Sequence, residues 1–243
     1  MSIAHGRLSA LRMKPQSAFE TPATAAPAYV QLPYYTHSLG MAKPLEDDPV
    51  LSQDGVRDPS EHAPGLPGHD GQLTVPVDLN QAGFWLRMLL GAPTTTDDGG
   101  GDFTHVFKSG AADLPFNTIE MDTAANVVLQ HIGVMAESWG MNTQRQSGYG
   151  RMDLSMVGRE EKRLTSAVDA DAGTIALERV PAFTGVVKVD DALVGSITEA
   201  NFTYANNLEG HEGLDAAGLQ TGYDTGVPAF TGGLNARFVD TAL

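Results

Sequence analysis

The chain has 243 residues, no cysteine, 27 glycines and 14 prolines, and it carries 30 acidic side chains against 15 basic ones, a formal net charge of −15. That balance has the wrong sign for gripping phosphates, which takes cations that displace counterions, and the lack of cysteine removes disulfide frameworks and thiolate metal sites and fits an intracellular place of folding. One domain spanning residues 1–243 can bury a full core, and the glycine and proline content favours short strands over long helices.

In chain order, residues 1–30 read as an N-terminal arm, because Pro15, Pro22 and Pro27 block a long helix; only short extended pieces such as YVQLPYYTHSL follow. The N-terminus holds Arg7, Arg12 and Lys14 but no apolar run of signal-peptide length, and no later segment approaches a membrane span, so a non-secreted chain without a membrane partner is expected. Residues 1–40 carry three basic and one acidic side chain and residues 41–102 three basic and eleven acidic, which suits a basic arm lying on an acidic neighbour. From Met41 to Gly71, Pro, Gly, Asp and His interrupt every period, and so long a structureless connection usually works as a binding or contact loop.

Order is expected to return at GQLTVPVDL, where Leu73, Val75, Val77 and Leu79 alternate with Thr74, Pro76 and Asp78 as in a strand with one buried face, with Pro76 pointing to an edge or bulge. One flanking α-helix follows over about residues 81–90, capped by Asn80, with Phe84, Trp85, Met88 and Leu89 on one face and Gly91 and Pro93 as its stop. APTTTDDGGGD reads as a turn or linker; its DDGGGD has the composition of a calcium loop without the ligand spacing. Beyond Phe103 the text is a series of short strands, among them NTIEMD, NVVLQHIGVMAESWGMN, GRMDLSMVGRE and SITEANFTYANN, and this spacing predicts a mainly β fold, an antiparallel β-sandwich or barrel. VPAFTG occurs twice, at Val180–Gly185 and Val227–Gly232; it holds no ionisable group and reads as scaffolding, Pro setting the approach to a strand and Gly permitting a bulge or tight turn.

Candidate chemistry is sparse. Histidines 5, 37, 62, 69, 105, 131 and 211 include no HxxxH or HExxH pair, which argues against a zinc enzyme; His62 and His69 share the acidic loop with Asp54, Asp58, Glu61 and Asp70, a cation site only if that loop folds round an ion. Nucleophile elbows, phosphate-binding loops and GxGxxG are absent, and the adjacent acids Asp47/Asp48, Glu160/Glu161 and Asp190/Asp191 would point to opposite faces of a strand. Trp85 fits core packing, while Trp139 leaves both core and stacking roles open. No catalytic, cofactor-binding or metal residue is assigned, and a non-enzymatic protein without a cofactor is expected.

Several stretches in order, FETPATAA, LPYYTHSL, the acidic EDDPVLSQDGVRDP, GQLTVPVDL with FWLRMLLG, FTHVFKSGAADLPFNTIE, GVMAESWGMN and SITEANFTYANNLEG, resemble the major tail tube proteins of long-tailed bacteriophages from about Phe19 onward. The resemblance implies a β-sandwich or barrel whose copies form stacked, usually hexameric rings, joining inner strands round a lumen that carries the genome. It implies as partners the chain itself, other tail proteins at the tube ends and double-stranded DNA passing without specific binding, in a virion tail assembled in the host cytoplasm. On this reading the loop over residues 41–71 is an inter-subunit contact, with Glu46, Asp47, Asp48, Arg57, Asp58 and Glu61 as its contact residues, and the lumen is negatively lined. The alternatives are another virion component, a decoration or baseplate-proximal ring protein, or a β-sandwich carbohydrate-binding protein or enzyme using Trp139 and a carboxylate pair.

Overall fold

Alternation of apolar and polar side chains marks some of the strands, and the computed structural model describes residues 9–25, 28–47, 62–124, 126–193, 196–215 and 217–237. In chain order these contain β1 (Leu11–Pro15), β2 (Val30–Leu32), β3 (Thr36–His37), β4 (Gly40–Ala42), β5 (Leu45–Glu46), β6 (Ala63–Pro64) and β7 (Gly68–Pro76). The helix α1 (Ala82–Leu90) precedes β8 (Thr94–Gly99), β9 (Asp102–Val106), β10 (Asn117–Ala124), β11 (Val127–Gln144), β12 (Arg151–Val157) and β13 (Glu160–Leu164). The remainder are β14 (Gly173–Thr174), β15 (Lys188–Val189), β16 (Ala192–Leu193), β17 (Ser196–Ala205), β18 (Glu209–Gly210), β19 (Tyr223–Asp224) and β20 (Ala229–Arg237). The fold is mainly β with one helix, as the residue pattern predicts.

The 18-residue strand β11 belongs to two sheets. Its first half lies between β10 and β13 in a sheet ordered β14-β2-β1-β10-β11-β13; its second half lies between β17 and β12 in a sheet ordered β20-β17-β11-β12-β7, with β3 and β4 on the far side of β7. All of these pairings are antiparallel except β14 with β2. The strand changes sheets beside Gly133, whose φ of 68° and whose position under Phe19, where a Cβ would sit 2.8 Å from the ring, leave room for no other residue. Between the sheets lie Leu11, Met13, Leu32, Leu73, Val75, Ile119, Met121, Val134, Leu154 and Met156.

Trp85, Met88 and Leu89 of α1 are buried in this core, the stripe its spacing predicts, and the Gly91 N–H closes the helix on the Arg87 carbonyl. Asn80 does not cap the helix. The first residue outside it is Gln81, without a side-chain cap, and the Asn80 amide instead donates to the Ala176 carbonyl at 3.1 Å. The buried Asp78 organises the entry, its Oδ1 accepting from the backbone N–H of Asn80 (3.0 Å) and its Oδ2 from that of Glu178 (2.6 Å).

Four stretches differ from expectation. Residues 11–15, expected within an arm, form a strand between β2 and β10 with Leu11 and Met13 buried, because their alternation suits an interior strand and Pro15 falls at its end. The connection over residues 41–71 is zipped at both ends, β4 onto β7 and β5 onto β6, and β7 starts at Gly68 rather than at Gly71. DDGGGD is no linker: β8 and β9 form a hairpin whose turn is made by Gly99, Gly100 and Gly101 at φ 85°, 71° and 98°, with flanking threonines and Phe103 favouring extended backbone. The two VPAFTG copies take different structures. Ala182–Thr184 is a 3-10 turn, whereas Ala229 to Gly232 lies inside β20, since only the second copy has an open strand, β17, to pair with.

Neither copy uses its glycine for a bulge. Gly185 has a φ of −63°, and both glycines serve close approach: a Cβ would lie 2.5 Å from the Thr143 methyl at Gly185, and 2.9 Å from the Phe202 ring at Gly232.

Candidate assembly surface

Directly opposed residues of neighbouring strands share a face, so side-chain rows can be followed across the second sheet. One row runs Leu73, Leu154, Trp139, Tyr204, Phe230 from β7 to β20; a second runs Val75, Met152, Met141, Phe202, Gly232. Along the first row, exposure climbs from 0% at Leu73 and 1% at Leu154 to 8% at Tyr204 and 64% at Phe230. The apolar face of the sheet therefore continues past the end of the core it helps to build. Phe230 stacks on Phe202 at 5.9 Å between ring centroids, and Leu234, opposite Ala200, is also exposed.

The strand at this end, β20, is nine residues long and exposed on both faces except at one half-buried position, and among the described residues nothing pairs with its outer edge. A long edge with free N–H and C=O groups and an apolar face is a template for another strand. The other sheet margins are blunted: β14 and β3 have two residues each, β4 three and β13 five. At the β4–β13 margin the seam is further closed by the Met41 N–H donating to Glu161 Oε2 at 3.2 Å.

The opposite face of the same sheet is small and polar. Its central row is Thr74, Asp153, Gly140, Thr203, Thr231, and its next is Asn142, Asn201, Gly233. Asp153 accepts from Thr74 Oγ1 at 2.6 Å, and Glu199 from Asn142 at 3.0 Å and Asn235 at 2.9 Å. Arg151, on this face, is drawn over the Tyr35 ring, its guanidinium carbon 4.3 Å from the centroid.

The β8–β9 hairpin projects from the body with every residue exposed, Phe103 at 55% and Val106 at 45% included. Local bonds, Thr104 Oγ1 to Asp98 at 2.6 Å and Thr95 to His105 at 2.8 Å, are its internal support. A two-stranded ribbon of this kind is marginal in water and gains from packing on something else.

Of the contact residues expected in the acidic loop, Glu46 lies at the β5–β6 stem opposite Ala63, and Asp47 meets His62 at 2.7 Å, both carboxylates well exposed. Asp48, Arg57, Asp58 and Glu61 lie outside the described residues. His69, expected in the same loop as His62, is instead 5% exposed at the start of β7, where its Nε2 lies 3.0 Å from Nδ1 of the fully buried His131. Burial pushes His69 down to about 4 and His131 down to about 3, the charge on His69 and on His37 adding to the second effect. Glu161 Oε2, 3.7 Å from His131 Nδ1, does not reverse this, so at neutral pH the contact joins a carboxylate to a neutral ring. Sequence spacing could not reveal the pair, since 62 residues separate its members. Trp139 proves to be part of the apolar row, packed against the core, rather than part of an aromatic platform.

Two packed sheets, a strand edge left open among the described residues and an apolar face running out of the core define a mainly β protein with one helix. Residues 6–243 match the phage tail tube protein family, and the chain belongs to that family. It is thus a structural tail tube protein, as the ordered resemblance of its motifs implies, and its family places it in the virion tail. No curated protein matches the chain. Among the described residues, no helix is long and apolar enough to cross a membrane.

Proposed function

We propose that copies of this chain close into hexameric rings that stack into the tail tube of a long-tailed phage, the conduit through which double-stranded DNA is delivered. The observation that carries the reading is β20, a nine-residue strand with an open edge and an apolar face that continues the core rows. In a ring the β20 end of one sheet meets the β3–β4 end of the next, a head-to-tail contact that closes by rotation and abolishes both edges. Phe230 and Leu234 then lose their water, each Å² of apolar surface contributing about 25 cal/mol.

The polar face of the sheet lines the bore. Its small hydroxyl and amide side chains offer DNA no apolar grip, and Asp153 and Glu199 repel phosphate while Arg151 is held on Tyr35 and Arg237 stands at the end of β20. Six copies carry a formal charge of −90, six times −15, so passage needs no counterion displacement. Glu46, Asp47, Asp48, Arg57, Asp58 and Glu61 supply contacts to the neighbouring or next ring, and the exposed β8–β9 hairpin reaches in the same way. Assembly takes place in the host cytoplasm, with other tail proteins at the two tube ends. Negative-stain microscopy of the purified chain tests the reading: rings or tubes with an axial hole are expected, and discrete monomers at high concentration would refute it.

A further inference from the structure

The seam where the two sheets meet holds a cluster of metal-ligating side chains. His131 on β11 and Glu161 on β13 are direct cross-strand partners and share a face, and His69 reaches them from β7 of the other sheet. The ligand atoms of the three, one per residue, lie within 4.8 Å of one another, with His131 Nδ1 3.0 Å from His69 Nε2 and 3.7 Å from Glu161 Oε2. Two ligands on a tetrahedral zinc-class ion stand about 3.3 Å apart, a spacing that the His131–His69 and His131–Glu161 separations bracket. Both histidines lie in strands: the His69 carbonyl accepts from the Gly158 N–H at 2.9 Å, and a Cβ at Gly158 would lie 2.6 Å from His69 Nδ1, so the ring packs closely against that backbone.

The hydrogen bonds of the pair set what an ion would require. A neutral imidazole has one donor and one acceptor, so the His69–His131 bond uses one nitrogen of each ring and leaves the other two buried; His69 Nδ1 and His131 Nε2 have no partner. For an ion to take both facing nitrogens, the shared proton moves to the outward nitrogen of its own ring and the two nitrogens part slightly from 3.0 Å. Both rings stay neutral, and no proton is released.

We propose that His69, His131 and Glu161 bind one divalent transition-metal ion of the zinc class, which clasps the two sheets at their seam and keeps its fourth position for water entering on the Glu161 side. Glu161, with its side chain 23% exposed, is the ligand nearest solvent and the entry path.

The test uses the full-length chain stripped with chelator. Co²⁺ serves as an optical probe, Zn²⁺ content is measured after dialysis, and thermal unfolding is followed with and without about 100 μM Zn²⁺. One equivalent per chain, tetrahedral Co²⁺ absorption and a raised Tm are expected, with affinity falling roughly tenfold or more in His69→Gln, His131→Gln and Glu161→Gln. If a histidine variant does not fold, Glu161→Gln decides: weakened binding supports the site. No bound equivalent in the unaltered chain overturns the proposal. So does binding that all folded variants retain, which would place the ion at the exposed His62–Asp47 or His211–Asp224 pairs.

Discussion

The two ends of the second sheet are made of the same material and have different fates. At the β7 end, Leu73, Val75, Met152 and Leu154 are buried in the core; at the β20 end, Phe202, Phe230 and Leu234 carry the same apolar face out into solvent. Burial within the subunit makes the first region a source of folding free energy, whereas the second contributes little until a neighbour arrives. Substitutions should therefore separate stability from assembly along a single row of side chains.

The sharpest contrast is expected from the covered end. Trp85→Ala, which empties a site only 3% exposed, should destabilise the subunit by about 3–5 kcal/mol, read by calorimetry or urea unfolding. Tubes would fail with it, because the subunit itself fails.

Acid should weaken the same region by a comparable amount. An unfolded imidazole protonates near pH 6.5, while burial holds His69 at about 4 and His131 at about 3. Stability is thus full above pH 6.5 and is lost as pH falls from there toward 3. Urea unfolding in chelator at pH 7 and pH 4 checks this, and His69→Gln should flatten the dependence.

At the uncovered end the ranking reverses. Phe230→Ser with Leu234→Ser should change subunit stability by no more than about 0.5–1 kcal/mol yet abolish rings and tubes in sedimentation and microscopy. Subunits that unfold instead would show that β20 belongs to the core, and the comparison would break. Replacing residues 48–61 by a short Gly/Ser linker should leave the Tm almost unchanged and impair stacking, since the β4–β7 and β5–β6 ladders lie outside the replaced stretch. The smallest effect is expected at the hairpin tip: Gly100→Ala, at a φ of 71°, should cost about 1 kcal/mol locally and leave the unfolding of the core unmoved.

Much of the fold is legible in the residue pattern alone. Leu73 and Val75, Met152 and Leu154, and the stripe Trp85, Met88, Leu89 are where their periods put them. The misses share a cause. Asn80 has the side chain of a cap, but Asp78 sits where it can also reach Glu178; DDGGGD looks like linker until β8 and β9 pair across it; VPAFTG is a turn in one place and strand in the other. In each case the deciding partner lies elsewhere in the chain or across a turn whose glycines permit pairing without demanding it.

The residue order by itself determined the β class, the helix, the acidic balance and the family, because alternation, composition and ordered motifs are properties read along one dimension. Only the tertiary structure decided which apolar row ends in solvent, where β11 passes between sheets, and that His69 and His131 meet. Those facts depend on pairing register and on how far one sheet covers the other, and both are set by contacts between residues distant in the chain.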